Sequence, residues 1–181
     1  MYVIGITGGV GAGKSAVLSI LSECVECEII RADDVANRLK LKGQPCFQKI
    51  DRSLMSMIVF EDDAKMKQVE QILHPQVKRY ITETIEQKKR EGKIKYLFIE
   101  AALLIEDGYR QICDEFWYIY ASVATRTKRL MANRGYTLQK IESIMDKQLS
   151  EEEFLKNCEC VINNDGDLSK TKEEILKALN Y

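Results

Sequence analysis

A chain of 181 residues, 45% apolar and 30% charged, has room for one domain with a real core and a subdomain inserted into it. Its formal net charge of −1 gives no global attraction to nucleic acid or to an anionic membrane surface. No apolar run approaches the roughly 20 residues that cross a bilayer, and "MYVIGITGG" lacks the basic start and long apolar stretch of a secretory signal.

A cytoplasmic protein is therefore expected, with its six cysteines reduced. Cys24-x-x-Cys27 and Cys158-x-Cys160 leave two readings, scattered buried thiols or a zinc site. Composition sets no oligomeric state.

The β-branched run "YVIGIT" ends in glycines and reads as a buried parallel strand. In "KSAVLSILSEC" the residues Val17, Leu18, Leu21 and Cys24 recur at helical spacing. "CEII" is a second strand, leading into a helix in "RADDVANRLKLKG" that Asp33 or Asp34 would cap and Gly43 would stop. From Pro45 to Gly92 no strand pattern occurs. "DRSLMSMIVF", "DDAKMKQVEQILH" and "PQVKRYITETIEQKKREG" read as successive helices. Pro75 stands at the first turn of the last, and Val77, Ile81, Thr84 and Ile85 lie on one face.

Strands return at "IKYLFIEA" and "EFWYIYAS". The basic helix "ATRTKRLMANRG", a helix in "TLQKIESIMDKQL", the strand "CECVINN" and a closing helix from Leu168 to Asn180 complete the chain. The pattern predicts an α/β fold, a five-stranded parallel sheet flanked by helices, with an inserted helical subdomain and a helical lid. The core is expected at about 1–42, 93–122 and 158–181, the insert at about 43–92 and the lid at about 123–157.

Gly8-x-x-x-x-Gly13-Lys14-Ser15 matches G-x-x-x-x-G-K-[ST] in full, with a strand before it and a helix after. Such a loop turns backbone N–H groups inward onto phosphate oxygens, here from Gly8, Gly9, Gly11, Ala12, Gly13, Lys14, Ser15 and Ala16. Lys14 is expected on the β- and γ-phosphates of ATP and the Ser15 hydroxyl on Mg²⁺. No guanine-reading N-K-x-D occurs, which turns the reading from a GTP switch toward a small kinase with a nucleoside-monophosphate-kinase-like plan.

Further segments narrow it. "ADDVA" follows strand two, "MIVFEDDAKMKQVEQILHP" contains His74-Pro75, "IEAALLIEDG" contains Glu100, Leu103, Leu104 and Glu106, and "VINN" contains Asn164. With the phosphate loop, these resemble the dephospho-CoA kinase family over nearly the whole chain. The resemblance implies transfer of the ATP γ-phosphoryl group to the 3′-hydroxyl of dephospho-CoA, the last step of CoA biosynthesis. It also implies a small-molecule acceptor and no nucleic-acid or membrane partner.

The resemblance places Asp33 as general base, consistent with a carboxylate just after strand two, where ligands of such sheets collect. The alternative for Asp33 is a helix cap. Glu100 would hold the magnesium shell through water, or else form a structural ion pair. His74 and Leu103 would line the acceptor pocket, and the loop around Asn164 would lie beside the adenine. Arg129 or Arg134 in the basic cluster would stabilise charge on the transferring phosphoryl, the alternative being a solvated basic face.

The chain departs from the family pattern at Arg31, Ala102, Asn133, Ile144 (four before the lid residue Gln148) and Phe154. It is also shortened between "GQP" and "DR".

Overall fold

The computed structural model describes residues 1–41 and 63–180, with side chains described for 1–41 and 71–180. A stop at Gly43 and a helix in "DRSLMSMIVF" lie outside the described residues.

The chain forms two compact units, Met1–Ile29 with Ile94–Tyr181, and Ile30–Lys93. The elements are β1 (Tyr2–Thr7), α1 (Lys14–Cys24), β2 (Cys27–Arg31), α2 (Ala32–Leu39), α3 (Asp63–Glu91) and β3 (Tyr96–Glu100). A 3₁₀ turn (Tyr109–Gln111) precedes β4 (Glu115–Tyr120), α4 (Val123–Arg134), α5 (Leu138–Met145), α6 (Glu151–Asn157), β5 (Cys160–Asn163) and α7 (Leu168–Ala178).

The sheet is parallel and runs β2-β3-β1-β4-β5. β1 is therefore central, and Val3, Ile4 and Ile6 are fully enclosed, as expected for a parallel strand covered on both faces. Register aligns Ile6 with Glu100 on β3, Thr7 with Tyr118 on β4, and Tyr120 with Asn163 on β5. The residues that end these strands consequently collect at one edge of the sheet, where β1 runs into the glycine loop. Beneath that edge Phe98 and Trp117 meet with ring centroids 5.9 Å apart. They share a core with Leu18 and Leu21 of α1 and Ile175 of α7.

Cysteines of both pairs belong to this packing. Cys24, Cys27 and Cys160 lie half-buried against the core, and burial pushes the Cys158 thiol up to about 12. Among the described residues no three His, Cys, Asp or Glu side chains gather as a metal cluster.

In the second unit α2 packs against α3, with the Arg38 guanidinium 5.4 Å from the centre of the Tyr80 ring. Two expectations are corrected here. First, "DDAKMKQVEQILH" and "PQVKRYITETIEQKKREG" are not successive helices: α3 runs unbroken from Asp63 to Glu91 with Pro75 inside it. Leu73, Val77, Ile81 and Ile85 are all buried, one per turn on both sides of the proline. Their burial is worth about 1.5–3 kcal/mol each, against about 3 kcal/mol for an interior proline. Packing wins, and the helix continues. Thr84 is half-buried and returns its hydroxyl to Tyr80 O at 2.8 Å.

Second, neither Asp33 nor Asp34 caps α2. The cap position falls on Arg31, whose backbone is extended, and both aspartates sit inside the first turn. There they favour the positive end of the helix dipole without closing a cap.

One helix, α6, has no counterpart in the sequence pattern. α6 carries a capping box, in which the Ser150 side chain accepts from Glu153 N and the Glu153 carboxylate accepts from Ser150 N. Donation from Ser150 N and from the Ser150 hydroxyl to the carboxylate holds the Glu153 pKa below its ordinary value.

Candidate active site

The glycine loop connects β1 to α1, and Gly13 occupies the position before the helix with φ 88° and ψ 30°. That left-handed conformation favours glycine, and the Asn164 amide nitrogen lies where a side chain on Gly13 would stand. Lys14 follows at once. Its Nζ donates to Gly8 O at 2.8 Å and lies 3.9 Å from Glu100 Oε1, both side chains being 17% exposed. The β1–β3 register brings Glu100 to this place, opposite Ile6 and two residues ahead of Gly8. A carboxylate ending a buried strand is costly without a cation, and Lys14 supplies one.

α4 packs two of its basic residues, Arg126 and Arg129, against the same loop. Ser122 caps α4 by accepting from Thr125 N at 3.2 Å, and Asp165 Oδ1 accepts from Ser122 N at 2.8 Å. Hydrogen bonds from the Thr125 and Ser122 side chains and from Ser122 N hold the Asp165 carboxyl below its ordinary range. From this fixed start, Arg126 and Arg129 stand three residues apart on one face, while Lys128 is exposed.

Arg129 Nη1 donates to Ala12 O at 3.2 Å and Nη2 to Asn164 O at 2.8 Å. Asn164, buried at the end of β5, donates Nδ2 to Ala12 O at 2.7 Å, and its Oδ1 accepts from Thr171 Oγ1 at 3.2 Å. Arg126 Nε donates to Val10 O at 2.8 Å, and Nη2 donates to Gln148 Oε1 at 2.9 Å. Burial lowers the Arg126 pKa from its ordinary value, with Tyr118 opposing.

The remaining positions expected from the sequence divide between the two units. Ser15 is exposed in the first turn of α1, Ala16 is half-buried beside it, and Ala12 is buried. In the turn after β3, Leu103 is 39% exposed while Leu104 is fully enclosed. Asp33, exposed on α2, and His74, half-buried on α3, belong to the second unit.

Arg134 is exposed at the end of α4, with its guanidinium 5.9 Å from the centre of the Tyr136 ring. Asn133 is exposed as well, and Ile144 is half-buried. Phe154 is 5% exposed and stacks on Tyr118 with centroids 4.7 Å apart, so the α6 position that departs from the family pattern contributes to packing.

The sequence pattern shows Gln148 only as a lid residue and Arg126 only as part of the basic helix "ATRTKRLMANRG", with neither tied to the loop. Arg126 alone carried a signal, its spacing from Arg129.

A family model described as dephospho-CoA kinase matches residues 2–170. The chain belongs to the dephospho-CoA kinase family. A dephospho-CoA kinase from Carboxydothermus hydrogenoformans is 32% identical, covering 98% of this chain and 92% of that one. A solved structure from Thermus thermophilus superposes with a TM-score of 0.80 at 27% identity, covering 99% of this chain and 96% of the other. The dephospho-CoA kinase from Campylobacter jejuni gives a TM-score of 0.70 at 24% identity over 98% and 95%, a likeness of fold.

Membership makes the chain a kinase of the phosphotransferase class, and its five-stranded parallel sheet flanked by helices is the fold of its structural neighbours. Within this dephospho-CoA kinase family member the expected loop residues, Lys14 and Glu100 stand together in one unit. No helix among the described residues is long and apolar enough to cross a membrane.

Proposed function

We propose that this chain transfers the γ-phosphoryl group of ATP to the 3′-hydroxyl of dephospho-coenzyme A, completing CoA biosynthesis in the cytoplasm. The observation that carries the reading is the braced glycine loop with Lys14 and Glu100 at its mouth, in a chain of this family.

In this reading the amides of the loop from Gly8 to Ala16 receive the phosphates, and Lys14 moves from Gly8 O to the β- and γ-oxygens. The Ser15 hydroxyl and, through water, the Glu100 carboxylate are hard oxygen donors of the kind Mg²⁺ prefers. Held by these two residues, Mg²⁺ would supply positive charge against the phosphates.

Asp33 takes the proton of the acceptor hydroxyl and orients its oxygen for in-line attack. His74 and Leu103 line the acceptor's place, and the loop around Asn164 lies beside the adenine. Of the two arginines, Arg129 is assigned to the charge on the transferring phosphoryl, because its guanidinium already lies on the loop. Arg134, exposed at the helix end, is the less direct choice.

The test is ADP release with dephospho-CoA set against a panel of nucleosides and nucleotides. Dephospho-CoA is expected to give the highest kcat/KM. Clear turnover on another acceptor, with none on dephospho-CoA, would assign the same fold to a different substrate.

A further inference from the structure

The phosphate loop is held from outside at Val10 by a closed ring of hydrogen bonds. Gln148 Oε1 accepts from Val10 N at 3.0 Å and from Arg126 Nη2 at 2.9 Å, while Arg126 Nε donates to Val10 O at 2.8 Å. The N–H and the C=O of one residue are thus both captured, by side chains 116 and 138 residues away in the chain.

A trans peptide sets its C=O and the next N–H on opposite sides. Drawing Val10 O toward α4 turns the Gly11 N–H the other way. Arg129 and Asn164 do the same at Ala12 O, which turns the Gly13 N–H with it.

Two further observations bear on Arg126. Its guanidinium lies where a side chain on Gly9 would stand, so Gly9 leaves the space that the arginine fills. Among the described residues its partners are a backbone carbonyl and an amide, with no carboxylate. Its charge is therefore left unneutralised beside a loop built for anions.

We propose that Arg126 and Gln148 act as one positioning device for the phosphate donor. Together they fix the Val10 peptide so that the loop amides face the nucleotide phosphates, and Arg126 adds positive potential from behind the loop. This rests on the nucleotide-binding part of the proposed function and not on the identity of the acceptor.

The experiment is a double-mutant cycle on the full chain, reading MgATP and MgADP dissociation constants by calorimetry alongside the thermal midpoint. Arg126→Ala and Gln148→Ala are each expected to weaken nucleotide binding about tenfold, and the double variant no further than the weaker single one. Arg126→Lys keeps the charge but cannot fork between two acceptors, so it should recover only part of the loss. The acceptor KM should not move.

Gly9→Ala provides a second route, since it displaces the guanidinium without removing it; it should reproduce the Arg126→Ala defect and add little to it. Losses that multiply in the double variant would overturn the proposal. So would unchanged nucleotide affinity with a lowered midpoint, because that is the signature of a structural contact. A chain that binds MgATP normally yet leaves dephospho-CoA unphosphorylated would overturn the acceptor assignment alone, and the cycle would still read the loop.

Discussion

Lys14 and Asp33 are both polar residues at the start of a helix, and the structure places them differently. Lys14 is half-enclosed between Gly8 O and Glu100, so its charge is held at the loop before any nucleotide arrives. Asp33 is exposed and contributes no cap to α2. Its removal should therefore cost little stability, which makes it a clean probe of chemistry.

Asp33→Asn is expected to cut the transfer rate by roughly 10²–10⁴-fold while leaving MgATP affinity nearly intact. Lys14→Ala should lower rate and affinity together, since its charge meets phosphate in the ground state as well as in the transition state. Single-turnover rates beside calorimetric affinities separate the two. An unchanged rate in Asp33→Asn would remove it from proton transfer.

Among the elements, α3 and α4 differ most from what local sequence conveys. Pro75 read as a helix start because an interior proline loses a hydrogen bond and clashes with the preceding turn. What overrides it is the buried row Leu73, Val77, Ile81 and Ile85, and residues 77, 81 and 85 were legible while their continuity with Leu73 was not. Pro75→Ala would restore a donor toward Gln71 O within the continuous helix. The thermal midpoint should then rise, by ~2–4 °C per kcal/mol gained. A fall would mean that Pro75 starts a helix after all.

α6 was missed although Ser150-x-x-Glu153 is a readable start signal, since its three successive glutamates mask the short apolar face that buries Phe154. In α4 the cluster of basic residues was visible, but charge runs usually mean a solvated face. That Arg126 and Arg129 turn inward depends on where the β4 end and the Ser122 cap aim the helix. That is tertiary information.

At the scale of the whole molecule, the donor machinery was legible because it is local. Gly8 to Ser15 carry their chemistry within one strand–turn–helix, and the strand pattern correctly implied a parallel sheet. The brace around the loop was not legible, because Arg126, Gln148 and Asn164 reach it only through folding. The donor elements form one unit, and Asp33 and His74 belong to the other. The acceptor side accordingly rests on family membership, and the donor side on geometry as well.

The most direct measurement is ³¹P NMR of the full chain incubated with MgATP and dephospho-CoA. A new 3′-phosphomonoester resonance is expected on the CoA product, growing in equal measure with ADP. ADP appearing with inorganic phosphate while dephospho-CoA stays unmodified, or no ADP at all, would contradict the proposed transfer.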